Sequence, residues 1–270
     1  MADLPYLHGF TANEQQRLIE QSLFLEPWVY SGLDLSKVSS LLEIGAGVGA
    51  QTAILLNKFP ALNITCIDHS ETQLKKAGEY LSGFPAFKGR YTLNLMKGEQ
   101  LDFETESFDG VYFCWVLEHV NNPEAVVKEA FRVLKPGGEL FASEVFNSTF
   151  YAYPEMLYIK EFWALYNRFQ FTAGGDPDIG AKLGNLLAKA GFKQISTESR
   201  SFMADHRDEA EKKKILDYWT TLLLSAAPNL LEAGLINENA MEMVKQEFNM
   251  LAEDPNGVFY CSFIRAFGKK

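Results

Sequence analysis

The chain has 270 residues, enough for one large domain or one domain with a cap, and 47% of them are hydrophobic, so a sizeable core is available. Its formal net charge of −10 disfavours recognition of nucleic acid, which relies on Lys and Arg to neutralise phosphates. Three widely spaced cysteines argue against a disulfide framework or a zinc site and for a cytoplasmic setting; no signal-peptide pattern and no membrane-spanning apolar run is seen.

In chain order, Thr11-Ala12-Asn13-Glu14 reads as a capping box that opens a helix, with Thr11 as N-cap and Glu14 three places on. Short β-like runs at 41–45, 62–68, 91–96, 109–115 and 139–145 then alternate with helical stretches at 50–58, 70–82 and 123–134. That alternation implies a parallel sheet with right-handed crossovers, whose ligands sit beyond the carboxyl ends of the strands. Residues 150–171 are rich in aromatics, among them Tyr153, Phe162, Trp163 and Tyr166, with Pro154 as a helix start. They read as a cap helix buried on the sheet, as an aromatic wall for an apolar acceptor, or as both. Asp176-Pro177 reads as the N-cap and first residue of a helix that stops at Gly191. Phe192–Ser199 reads as a strand, 207–226 and 237–252 as helices, and Val258–Phe267 as the last strand. Lys212-Lys213-Lys214 is placed on a solvated helix face, and Cys66 and Cys261 are placed in the core.

The densest signal lies at 41–52. An apolar run ends in Glu43, Gly45, Gly47 and Gly49 alternate with small residues, and a helix begins near Ala50. Glycine belongs where a chain turns sharply or a ligand approaches too closely for a Cβ. The dinucleotide fingerprint G-x-G-x-x-G carries its third glycine one place later. Glu43 would repel a pyrophosphate but pair with an ammonium, which favours a cationic amino-acid nucleoside over a dinucleotide. Asp68 ends the next β-like run, about 20 residues on, where a carboxylate accepts from both ribose hydroxyls.

With Lys97-Gly98-Glu99-Gln100-Leu101-Asp102-Phe103, the run Ser107–Val120 and Leu134-Lys135-Pro136-Gly137-Gly138, these motifs resemble the class I S-adenosylmethionine (SAM) methyltransferases. The nearest likeness is to the small-molecule group that includes the ubiquinone and menaquinone C-methyltransferases. The motif-bearing resemblance covers roughly residues 38–145, and a looser one continues to the C-terminus. It implies an α/β fold: a doubly wound, mostly parallel, seven-stranded Rossmann-like sheet with helical cap elements at both ends. In that frame 1–37 is a helical lid and 38–148 the SAM-binding core. Residues 149–270 complete the sheet and carry substrate-cap insertions at 150–171 and 207–252.

The resemblance also implies roles. Gly45, Ala46, Gly47 and Gln51 form the SAM loop, Glu43 reaches its amino group, Asp68 its ribose, and His69 and Gln73 the adenosine side. Gly98, Glu99 and Gln100 stand where relatives carry an acid for the adenine; Lys97 has no acceptor to offer there, so Glu99 or backbone atoms serve. Cys114 and Trp115 flank the methionine side. The acceptor pocket draws on Tyr6, His8, Phe10, Tyr153, Phe162 and Trp163, and His119 and Glu144 are the candidate bases, His119 having a structural role as its alternative. No metal set is seen. The expected activity is methyl transfer from SAM to a small apolar or aromatic acceptor, leaving S-adenosylhomocysteine. Rival readings are methylation of RNA or protein, a non-catalytic SAM-binding module, and an NAD-dependent enzyme. An acceptor pocket plugged by side chains of 150–171 would favour the non-catalytic module.

Overall fold

The computed structural model describes residues 8, 9 and 11–270, so Tyr6 and Phe10 lie outside the described residues. Seven strands form one sheet: β1 (Ser40–Ile44), β2 (Asn63–Asp68), β3 (Tyr91–Leu95), β4 (Phe108–Cys114), β5 (Leu134–Tyr153), β6 (Lys193–Ala204) and β7 (Val258–Lys269). Their order is β3-β2-β1-β4-β5-β7-β6. The first five pair in parallel, and β7 runs antiparallel between β5 and β6. Strand order reverses between β1 and β4, which leaves a crevice at their carboxyl ends. The helices are α1 (Ala12–Tyr30), α2 (Ala50–Lys58), α3 (Glu71–Ser82), α4 (Pro123–Val133), α5 (Leu157–Thr172), α6 (Leu183–Ala190), α7 (Glu209–Ser225), α8 (Ala227–Glu232) and α9 (Glu238–Glu253). None of them is long and apolar enough to cross a membrane.

Strand alternation sorts the core into two faces. Leu42 and Ile44 of β1, Val111 and Phe113 of β4 and Leu140 of β5 pack with Val126 and Ala130 of α4 and Leu183 and Leu187 of α6. Leu41, Cys66, Tyr112 and Cys114 face the other way, into a core shared with α1, α2, α5, α7, α8 and α9. The second face carries the site, because there the long helices of the C-terminal half rise over the strand ends.

Several expectations shift. The capping box is half formed: Thr11 Oγ1 accepts from the Glu14 N–H, while the Glu14 carboxylate turns to Arg17 instead. The fifth strand runs on to Tyr153, held by β7 through Tyr151↔Tyr260 and Tyr153↔Val258, so the next helix starts at Leu157 and not at Pro154. A 3₁₀ turn, Ile179–Lys182, precedes α6. Gly180 is pressed on β5 there, where a Cβ would stand 2.5 Å from the Glu144 carbonyl oxygen. Lys212 is buried, its ammonium donating to the Asp254 carbonyl, so only Lys213 and Lys214 occupy a solvated face.

Candidate functional site

A cavity of about 240 Å³ opens at the carboxyl ends of β1, β2 and β4. One side of it is backbone and short polar chains. Gly45, Ala46 and Gly47 leave β1, Asp68 ends β2, and Cys114 and Trp115 end β4. Gly47 has φ +54°, and a Cβ built on it meets nothing within 4 Å, so its missing side chain leaves open space in the cavity. Gly45 is required for a different reason. Its φ is +73°, and a Cβ would meet the Val116 side chain at 2.5 Å, so packing and not ligand approach excludes a larger residue.

Asp68 locks this loop. One carboxylate oxygen accepts from the Gly47 N–H at 2.8 Å and the other from the Ser70 N–H at 2.9 Å. The side chain is only 7% exposed, and that exposure is toward the cavity. An ionised carboxylate accepts through two oxygens with about four lone-pair sites, so both oxygens keep capacity for donors such as a vicinal diol. His69 and Gln73 line the same side, Gln73 with its amide oxygen taken by Gln15 of α1 at 2.9 Å. Gln51 lines it too and accepts from the Tyr30 hydroxyl, a second tie to α1.

The other side is aromatic and assembled from afar. Trp163 and Tyr166 of α5 stack on each other with centroids 5.0 Å apart, and Phe150 stacks behind Trp163 at 4.7 Å. Tyr218 and Trp219 of α7, Phe202 of β6 and Phe263 of β7 complete this side, and Trp115 meets Phe263 edge-on at 5.9 Å. Among these rings stand polar groups: His8, Arg17 of α1, Glu118, His119 and Asn147. Arg17 is clamped to Glu14 and Gln21. His8 takes the Tyr166 hydroxyl on Nε2 at 3.0 Å and reaches Ser225 Oγ through Nδ1 at 2.6 Å. Since Ser225 Oγ donates to the Leu222 carbonyl, it accepts from His8 Nδ1–H, which leaves Nε2 as an acceptor. Burial, then the charge of Arg17, holds His8 well below the usual imidazole range, so it stays neutral.

The structure thus brings Gly45, Ala46, Gly47, Gln51, Asp68, His69, Gln73, Cys114, Trp115, His119, His8 and Trp163 to one cavity. Seven candidates lie elsewhere. Glu43 is 1% exposed and faces α2 beneath the glycine loop, where its carboxylate accepts from Thr52 Oγ1 at 2.6 Å; burial lifts it to about 7. Glu144 is fully buried and caps the turn after β4, accepting from the N–H groups of Val116, Leu117 and Glu118. Burial, then the Glu118 carboxylate, pushes it up to about 8, and it does not reach the cavity. Gly98 and its neighbours Glu99 and Gln100 follow the edge strand β3 and miss the cavity; Gly98 packs on Ile44 and Val126. Tyr153 is over half exposed on the extended end of β5, and Phe162 is sealed in the core on the inner face of α5. Glu118, Arg17, Asn147, Tyr218 and Trp219 were not singled out from the sequence. Glu118 had the one readable signal, its place beside His119 just after a strand end. Among the described residues no group of His, Cys, Asp and Glu could hold a metal ion.

Residues 42–142 match the family model of a methyltransferase domain. A sterol 24-C-methyltransferase of Candida albicans is 32% identical over 108 residues, a match spanning 39% of this chain and 28% of that protein. A demethylmenaquinone methyltransferase of Desulfitobacterium hafniense is 36% identical over 108 residues, 39% of each chain. The chain therefore covers well under half the length of these curated relatives. A Thermotoga maritima SAM-dependent methyltransferase structure, described as a possible histamine N-methyltransferase, aligns with a TM-score of 0.56 at 19% identity, over 96% of this chain and 95% of that one. At that identity the likeness is one of fold.

Proposed function

We propose that this chain, which belongs to the class I SAM-dependent methyltransferases, transfers the methyl group of SAM to a small apolar or aromatic acceptor. One observation carries the reading: a single cavity joins the open Gly47 turn and the Asp68 carboxylate to a wall of aromatic rings. The groups present fit SAM. Gly47 leaves room at the turn, Asp68 offers acceptors to a ribose diol, and Gln51 and Gln73 add amides. SAM supplies a sulfonium whose methyl is already electrophilic, so the protein's task is alignment and exclusion of water.

Trp163, Tyr166, Trp219, Phe202 and Phe263 offer an acceptor large apolar contact area and hold water away from it. Trp163 and Tyr166 line the cavity and do not fill it, which supports a catalytic enzyme over a closed binding module. A sulfonium close to these rings gains cation–π attraction. His119, on the cavity wall and about one quarter exposed, is the group placed to take a proton from a hydroxyl or amine acceptor. The acidic balance supports a small-molecule acceptor over RNA. The three cysteines are buried and unpaired, which suits a cytoplasmic setting.

The test combines calorimetry with SAM and S-adenosylhomocysteine and methyl transfer to a panel of phenols, hydroquinones, aromatic amines and apolar alkenes. Binding of both nucleosides with transfer to members of the panel is expected. Transfer to RNA or protein alone would move the assignment to the rival class.

A further inference from the structure

Glu118 is a carboxylate in an unusual position. It lines the cavity yet is only 5% exposed. A buried carboxylate is costly unless hydrogen-bonded and paired with a positive charge. The structure invests in holding it. Gln170 of α5, itself 3% exposed, donates from Nε2 to one carboxylate oxygen at 2.7 Å. Its backbone is fixed as well: the Asp176 N–H donates to the Glu118 carbonyl at 3.0 Å, and Gly175 packs so tightly there that a Cβ would stand 2.4 Å from that oxygen. The second carboxylate oxygen points to His119 Nε2 at 3.6 Å, within ion-pair range and longer than a hydrogen bond.

We infer that Glu118, aimed by Gln170, is the positioning residue for His119: it orients the imidazole and stabilises the imidazolium formed when His119 takes the acceptor's proton. The inference rests on the methyltransferase reading and extends it. The step balances. The lone pair of the acceptor oxygen or nitrogen forms the new bond to the methyl carbon. The carbon–sulfur pair returns to sulfur, which becomes a neutral thioether. The acceptor proton moves to the imidazole lone pair, and the positive charge that left sulfur comes to rest beside the Glu118 carboxylate.

The charges around His119 are consistent with this. Glu14 of α1 and His8 lie close enough to His119 to interact with it electrostatically, and Arg17 of α1 lines the same cavity. Glu144, from β5 beneath the turn, is pushed up to about 8 by burial and then by the neighbouring Glu118, so at neutral pH Glu144 keeps its proton. Arg17 is engaged by Glu14 and Gln21, and the His119 imidazole, once protonated, is a cationic group within ion-pair range of the Glu118 carboxylate.

The experiment uses the full chain labelled with ¹⁵N-histidine and saturated with S-adenosylhomocysteine, the His119 resonances being assigned with His119→Gln. The imidazole is titrated in wild type, Glu118→Gln and Gln170→Met. The His119 transition is expected to move to lower pH by about one unit or more in Glu118→Gln, and in the same direction by less in Gln170→Met. On the best phenol or amine of the panel, Glu118→Gln should lower kcat about 10²-fold, leave the KM for SAM unchanged and recover in part as Glu118→Asp. An unmoved His119 transition in a folded Glu118→Gln protein would overturn the assignment. Failure of wild type to bind S-adenosylhomocysteine would instead overturn the methyltransferase reading, and the titration without ligand would still decide the Glu118–His119 pair.

Discussion

On the glycine side of the cavity Gly47, Asp68 and Cys114 each stand at or just beyond a strand end. The aromatic side draws Arg17 from α1, Asn147 from β5, Trp163 and Tyr166 from α5, Tyr218 and Trp219 from α7, and Phe263 from β7. The first side is backbone turns locked by local hydrogen bonds, such as Asp68 on the N–H groups of Gly47 and Ser70. The second is large side chains locked by packing, as in the Phe150–Trp163–Tyr166 stack. A site whose reagent is constant and whose acceptor varies has reason to be split in this way. Local turns reproduce one geometry, while rings carried on separate helices can be exchanged without disturbing the loop.

Substitutions can break the two sides separately. The largest effect is expected from Trp163→Ala, which removes a 9%-exposed ring stacked against Phe150 and Tyr166. It should cost about 3–5 kcal/mol of stability. Thermal melts should show that loss, while calorimetry on the protein still folded finds SAM affinity within a few fold of wild type. A parallel collapse of SAM affinity would mean that the two sides are not separable. Gly47→Val should do the reverse. A β-branched residue at φ +54° is strained by roughly 1–2 kcal/mol and projects into the cavity, so SAM affinity should fall by more than ~100-fold with little change in melting temperature. Normal SAM binding by this variant would remove the glycine turn from the site.

Asp68→Ala should weaken SAM by about 1.5–3 kcal/mol, the worth of hydrogen bonds to a charged acceptor, because it removes the ribose acceptors and frees the Gly47 N–H. Titration calorimetry reads this directly, and unchanged affinity would exclude Asp68. The smallest effect is a pH dependence rooted beneath both sides. Glu43 is lifted to about 7 and Glu144 to about 8 by burial. Below the ordinary carboxylate range both states hold these protons and the stabilisation is fully present. Above it the unfolded chain releases them while the folded chain keeps them until about 7 and 8, so stability declines as pH rises through that window. Melting temperature should fall by a few degrees between pH 5 and 8. Glu144→Gln should flatten part of that slope, and a slope identical to wild type would show that Glu144 does not carry the excess proton.

The sequence by itself determined the sheet and the glycine side. Alternating β-like and helical runs imply a parallel sheet, and a glycine turn and an acid at successive strand ends are short-range patterns that tertiary context has little freedom to move. Even there, the structure decided which glycine serves the ligand and which serves packing, because only the approach of Val116 distinguishes Gly45 from Gly47. It also turned Glu43 under the loop and Glu144 into a cap, since one step along a strand exchanges the cavity for the core. The aromatic side could not be read in advance. Phe162 and Trp163 are neighbours on one helix, yet one is sealed in the core and the other faces the cavity, and Tyr153 was carried to the surface when β7 extended β5. Glu118, adjacent to a residue already singled out, gained its meaning only from Gln170, a hydrogen-bond partner far along the chain. Helical periodicity states which residues share a face; only the packing of α5, α7 and β7 states what that face meets.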